Sequence, residues 1–200
     1  MSRRLLSLVL LVAVTGVLGG GVTGCGPKQG MNTNGAEANP HHIPPGCTYK
    51  VIEDKLDNGQ ILERTEGYVT AEGEFIRHGE HARWYPENGQ KKMELHYTNG
   101  VMNGPRLSWY DTGQIWSRGA YKNGKADGTW TAWFPSGKRQ REWHMRENVW
   151  DGLYQEFHEN GEKRYEVEYI NGMKQGTAIW WSEIGTELRR IEYFDDVSQP

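Results

Sequence analysis

From residue 79 onward the chain alternates between apolar and polar positions in short bursts. Met93, Leu95 and Tyr97 alternate with Lys92, Glu94 and His96. The pattern recurs at Ser117, Gly119 and Tyr121, at Arg141, Trp143 and Met145, at Tyr165, Val167 and Tyr169, and at Arg189, Ile191 and Tyr193. One apolar face at period two marks a half-buried antiparallel strand. Ser117, Arg141 and Arg189 interrupt that face. The bursts in between differ. Trp109 and Tyr110, Trp133 and Phe134, and Trp180 and Trp181 place aromatic rings on both faces of their strands. No stretch after the N-terminal leader keeps the i, i+3, i+4 spacing of a helix.

The bursts belong to a repeat. Gly79, Gly104, Gly128, Gly152 and Gly176 are spaced 25, 24, 24 and 24 residues apart. Five positions after each glycine stands an aromatic residue: Trp84, Trp109, Trp133, Phe157, Trp181. A turn follows, ending at Gly89, Gly113, Gly137, Gly161 and Gly185. A second turn follows each alternating burst, as Asn99-Gly100, Asn123-Gly124 and Asn171-Gly172, with Glu147-Asn148 as the departure. Asn-Gly supplies the positive φ that a two-residue hairpin demands. Two turns in 24 residues leave about 12 for each strand with its turn, too few for two useful helices. The expected fold is all-β: an elongated antiparallel meander of stacked β-hairpins, about five repeats of 24 residues over 79–200. Residues 47–78, with Leu56-Asp57-Asn58-Gly59 as a worn turn, are expected to form a degenerate capping repeat, because end units of an array must differ.

These units resemble the MORN-repeat variant: a Gly, an aromatic pair, a turn closing on Gly, a Tyr, then Asn-Gly and a closing Gly. The resemblance covers roughly residues 79–196, and extends to the bacterial YwqK-type antitoxins that carry the repeat. It implies a hairpin array that binds proteins or membranes, and it brings no catalytic residue with it.

Residues 1–24 have the form of an export leader, with Arg3 and Arg4 ahead of the apolar run Leu5–Val14. Val22-Thr23-Gly24-Cys25 resembles the bacterial lipobox, which implies cleavage before Cys25 and acylation of its sulfur and amine. Each buried CH₂ of such a chain contributes about 0.8 kcal/mol to anchoring. Gly26 after the cysteine implies the outer membrane by analogy. Residues 25–46 then form the acylated cysteine and a tether rich in Gly, Pro and Asn, about 25 Å in root-mean-square reach. With Cys25 acylated, no intramolecular disulfide remains, and Cys47 is expected as a buried or inert thiol, with an intermolecular bridge as the alternative.

Composition narrows the chemistry. The formal charge of −3 becomes more negative by two when Arg3 and Arg4 leave with the leader. The chain has no basic stripe, so nucleic acid is not an expected partner. All nine tryptophans lie beyond residue 80. His96 and His144 share a column but stand four strands apart, about 19 Å, and cannot share a metal ion. No nucleophile motif, phosphate loop or paired-cysteine site is present, so no catalytic residue, metal or cofactor is expected. The aromatic columns are expected mainly to fill the core. Because a single sheet cannot bury both faces, Tyr85, Tyr110, Trp130, Phe134, Tyr154 and Trp180 are the candidates for an exposed binding row. The leading expectation is a lipid-anchored, non-enzymatic protein-binding or scaffolding module of the bacterial envelope, facing the periplasm or the cell surface. The alternatives are an immunity protein against a periplasmic toxin, implied by the antitoxin resemblance, and cell-wall glycan binding through exposed rings.

Overall fold

The computed structural model describes residues 43–198 of the 200-residue chain. The leader, Cys25 and the tether up to His42 lie outside the described residues. Fifteen strands form one antiparallel sheet whose order follows the chain. They are β1 (Thr48–Lys55), β2 (Ile61–Val69), β3 (Phe75–Trp84), β4 (Lys91–Thr98), β5 (Val101–Trp109), β6 (Ile115–Lys122), β7 (Lys125–Ala126), β8 (Gly128–Trp133), β9 (Arg139–Arg146), β10 (Val149–Trp150), β11 (Gly152–Phe157), β12 (Lys163–Ile170), β13 (Met173–Trp181), β14 (Glu187–Phe194) and β15 (Val197–Ser198). The short strands β7 and β10 are the first legs of hairpins that continue, after a break, as β8 and β11. The expected open meander is the observed one.

Two kinds of turn alternate along the two long rims. At one rim Asn99-Gly100, Asn123-Gly124, Glu147-Asn148, Asn171-Gly172 and Asp195-Asp196 all have positive φ at both positions. These are type I′ hairpins, whose twist matches the strands they join. Each also donates backward to the preceding unit: Gly124 N to Met102 O at 2.8 Å, Asn148 N to Ala126 O at 2.9 Å, Gly172 N to Trp150 O at 2.8 Å. Where glycine is missing from the second position, the side chain adds a further tie. Asn148 Oδ1 accepts from Ala126 N at 2.6 Å and Asp196 Oδ1 from Lys174 N at 2.9 Å.

At the other rim the turns close with pairs such as Tyr110 N to Gln114 O (2.8 Å) and Gly113 N to Tyr110 O (3.0 Å). Leu56–Gln60 makes the same pair of bonds, so β1 and β2 join like the later hairpins at this rim. The register then slips by one residue at Arg83/Trp84, Ser108/Trp109, Ala132/Trp133, Glu156/Phe157 and Trp180/Trp181. This bulge re-aims the last side chain of the strand. The repeat-marking glycines sit at a second irregularity, with φ of 115° at Gly104 and 119° at Gly152.

Cross-strand register defines a front face through Thr65, His81, Leu95, Ser108, Ser117, Ala132, Arg141 and Glu156. The core lies on this face. Tyr154, Val167, Tyr169 and Ala178 are buried there, with Trp143, Trp150, Tyr165, Trp180 and Tyr193 packed around them. The residues that interrupt the apolar pattern are accommodated one by one. Ser117 shares a buried hydrogen bond with Ser108 at 2.9 Å. Arg141 and Arg189 lay their guanidinium groups over Trp143 and Trp180, 5.2 and 5.4 Å from the ring centroids.

Cys47 corrects the expectation of a free thiol: it is disulfide-bonded. The only other cysteine in the chain, Cys25, lies outside the described residues. The expectation took that sulfur to be consumed by acylation.

Candidate binding surface

The six aromatics expected as an exposed row separate into two groups. On the front face Trp130 is 7% and Tyr154 5% exposed. This corrects their assignment to an open surface. Trp130 stacks on Trp143 (ring centroids 6.1 Å apart) and meets Tyr121 edge-on at 5.5 Å. Tyr154 stacks on Trp150 at 5.0 Å and meets Tyr165 and Tyr169 edge-on. Trp180 is half-buried between Tyr165, at 4.6 Å, and Arg189. Adjacent aromatic rings and guanidinium groups therefore cover the ring faces that a sugar would need. Burial also acts on the phenols. Desolvation, reinforced by a 2.6 Å hydrogen bond from its hydroxyl to Glu156 Oε1, pushes Tyr154 up to about 12, and desolvation raises Tyr165 as well.

Tyr85, Tyr110 and Phe134 are half-buried and stand at the bulged rim. Tyr85 Oη donates to Trp109 O at 2.9 Å, and Tyr110 Oη donates to Trp133 O at 2.8 Å. In the same column, one unit past Phe134, His158 Nε2 lies 2.9 Å from Trp181 O. A carbonyl only accepts, so Nε2 carries the proton. Each of these side chains ties its unit to the next. Phe134 has no polar atom and leaves the tie between the third and fourth units unmade. A depression of about 200 Å³ opens there, lined by Phe134, Gln140, Arg141, Glu156, Phe157 and Arg164.

The structure brings together a different apolar row, at the type I′ rim. Val101, Val149, Met173 and Val197 each follow directly after a two-residue turn and are exposed. Ile170 and Phe194 stand opposite Met173 and Val197 and are exposed too, Phe194 at 66%. Successive turns nest on this row. A Cβ on Gly124 would lie 3.4 Å from Val101 Cγ1, and one on Gly172 3.2 Å from Val149 Cγ1. Units two strands apart repeat about every 10 Å along the rim. The result is a ridge interrupted at Lys125 and densest at its C-terminal end. The sequence contains the signal, a recurrent apolar residue one place after each turn, but alternation within strands draws attention away from it.

The back face carries charged side chains laid over an aromatic column. Glu80, Glu94 and His96 bring their ligating atoms within 4.8 Å of one another, a trio the histidine spacing did not reveal. Lys91 Nζ already lies 2.7 Å from Glu94 Oε2 and 3.5 Å from Glu80 Oε1, so an ammonium answers the carboxylate charge.

The MORN repeat variant family matches residues 102–123 and 150–171. The chain thus carries MORN repeat variants within an open antiparallel meander. No curated protein matches the chain.

Proposed function

We propose that this MORN repeat protein is a non-enzymatic binding and scaffolding module of the bacterial envelope, with the type I′ rim as its docking ridge, and that after processing it is tethered by a lipid on Cys25, the disulfide of Cys47 belonging to the unacylated chain. The observation that carries the reading is the exposed row Val101, Val149, Met173 and Val197 with Ile170 and Phe194. Exposed apolar side chains gathered at one rim, densest over Val149, Ile170, Met173, Phe194 and Val197, mark an interaction site. A rigid row of small hydrophobes about 10 Å apart suits a protein partner presenting apolar side chains at matching intervals.

A photo-crosslinker placed at Met173 tests the ridge in the full chain in its native envelope. It should yield a discrete adduct that the same probe at Lys138, on the opposite rim, does not. With the probe kept at Met173, Phe194→Glu in the same exposed row should abolish that adduct without lowering the melting temperature. Adducts of equal yield at both rims refute the docking ridge.

The anchor is tested separately, by fatty-acid labelling that disappears in Cys25→Ser. A thioether and a disulfide compete for one sulfur, so acylation of Cys25 and an intramolecular disulfide of Cys47 exclude each other. Intact mass under non-reducing conditions distinguishes the two. An unacylated chain two hydrogens lighter than its fully reduced form refutes the anchor.

A further inference from the structure

Among the described residues, the two end strands β1 and β14 each have an open long edge. β15 covers only the end of β14, opposite Tyr193 and Phe194. Inside the chain the equivalent arrangement is completed. β6 carries β7 at Tyr121 and Lys122, and β8 then pairs with it at Ser117 and Arg118. β9 carries β10 at Met145 and Arg146, and β11 pairs with it at Arg141 and Glu142. Arg189 and Arg190 hold the same places on β14, and no described strand pairs with them from outside.

We propose that β1 of a second copy of this chain fills that edge, joining copies head to tail into a continuous sheet. Strand direction allows it. The meander alternates, so β14 runs antiparallel to the β1 of a copy set beside it with the same face forward. The faces then fix the register to steps of two residues. Ile191 is on the front face opposite Ala178, and Ile52 is on the front face opposite Thr65. In one register Arg189 meets Asp54, Arg190 meets Glu53, Ile191 meets Ile52, Glu192 meets Val51 and Leu188 lies along the stem of Lys55. Sliding two residues one way sets Glu192 against Glu53 and Arg190 against Lys55. Sliding the other way sets Glu187 against Asp54. Charge complementarity therefore selects a single register, since like charges directly opposite destabilise a strand pair.

Both charged strands now satisfy themselves locally. Arg190 forks onto Glu187 at 2.9 and 3.0 Å, and Lys55 Nζ sits 2.8 Å from Glu53 Oε2. Exposed pairs of this kind exchange partners at little cost. The exposed apolar side chains Ile52 and Leu188 gain cover in the junction. A two-fold pairing of β14 with β14 is poorer: centred on Ile191 it shares only Arg190–Glu192 before β15 intervenes, and centred on Arg189 or Arg190 it sets like charges opposite each other. A head-to-tail contact does not close on itself, so it extends with concentration.

Sedimentation velocity of the purified full chain, over a concentration series at low and high salt, tests the junction. Wild type should form dimers and longer species that grow with concentration and dissociate in high salt. Arg190→Glu and Glu53→Arg should each weaken association about tenfold, and the double swap should restore it. Both side chains are exposed, so melting temperatures should not move. If Arg190→Glu fails to fold, Arg190→Gln serves in its place, with a smaller loss expected. A chain monomeric at every concentration overturns the proposal, as does a double swap no better than the singles. A species that stops at the dimer and responds to Arg190→Glu but not to Glu53→Arg is two-fold β14 pairing, and also overturns it.

Discussion

Gly119 supplies the sharpest test of how the front face is packed. Its backbone is ordinary strand, so conformational freedom is not the reason for glycine. A Cβ there would stand 2.1 Å from Trp130 Cδ2 and 2.4 Å from Cε2 and Cε3. Carbon atoms rest at about 3.5–4.0 Å, so Gly119→Ala forces the indole back by about 1.5 Å. Behind it lies Trp143, and beside it Tyr121. Overpacking of a filled core costs about 1–3 kcal/mol, and losing the seat of a buried Trp about 3–5 kcal/mol. Stiffening the unfolded chain returns about 0.5–1 kcal/mol. The net expectation is a loss of about 2 kcal/mol, or about 4–8 °C in melting temperature for a domain of this size. Thermal unfolding followed by tryptophan fluorescence and far-ultraviolet circular dichroism measures it. Gly137→Asn is the control. Gly137 has φ of 83°, with open space where a Cβ would sit, and asparagine tolerates that conformation, so its cost should stay below about 1 kcal/mol. Trp130→Phe should absorb part of the Gly119→Ala penalty in a double-mutant cycle. If Gly119→Ala melts with the wild type, or Gly137→Asn costs more, the packing argument is wrong.

Tyr110→Phe deletes a tie to Trp133 O and should cost about 1 kcal/mol, whereas Phe134→Tyr adds the missing hydroxyl beside Phe157 and should stabilise by a similar amount; denaturant melts in which both variants shift the same way refute the ladder. Burial raises Tyr154 to about 12 and raises Tyr165 and Tyr169 with it. The folded state therefore holds these protons more tightly, and stability should be level up to about pH 10 and fall between about pH 10 and 12. Urea melts paired with phenolate absorbance check this, and stability rising across that window contradicts it. Burial lowers His81, whose Nδ1 lies 2.9 Å from Thr65 Oγ1. Its contribution should be complete above about pH 6.5 and should shrink as pH falls through the lowered folded value. His81→Gln should flatten that acid limb, and an unchanged limb refutes the assignment.

Periodicity carried the architecture because each local signal was independent of tertiary context. Asn-Gly fixes the I′ turn wherever it stands, and alternation fixes which face is buried. Glu147-Asn148 and Asp195-Asp196 take the same turn without glycine. A pattern based on Asn-Gly alone misses them, because the side chains of Asn148 and Asp196 accept hydrogen bonds from the preceding unit, contacts 22 residues away. The exposure of the aromatics was harder to read for a similar reason. Strict alternation assigns Trp109 and Tyr110 to opposite faces. A bulge between Ser108 and Trp109 then shifts the register, and that shift is set by the turn that follows. Trp130 is buried because its neighbour Gly119, eleven residues back, leaves room for an indole that no single-strand pattern records.

A one-layer sheet has two faces and only one core, and the way this chain covers the second face explains why the rim is left for binding. Four members of the back-face aromatic column lie under cations: Lys91 is 5.8 Å from Trp84 and 5.9 Å from Trp109, Arg139 is 5.2 Å from Phe157, and Lys163 is 5.6 Å from Trp181. The long stems of these residues act as a thin second layer, apolar toward the rings and charged toward water. On the front face the rings cover one another. Neither face offers a continuous bare aromatic surface. At the I′ rim the chain reverses within two residues and leaves Val149, Met173 and Val197 exposed. Apolar area left exposed there keeps its full transfer free energy, about 25 cal/mol per Å², for whatever covers it. That makes the ridge, rather than the aromatic columns, the place where substitution should change binding without changing the fold.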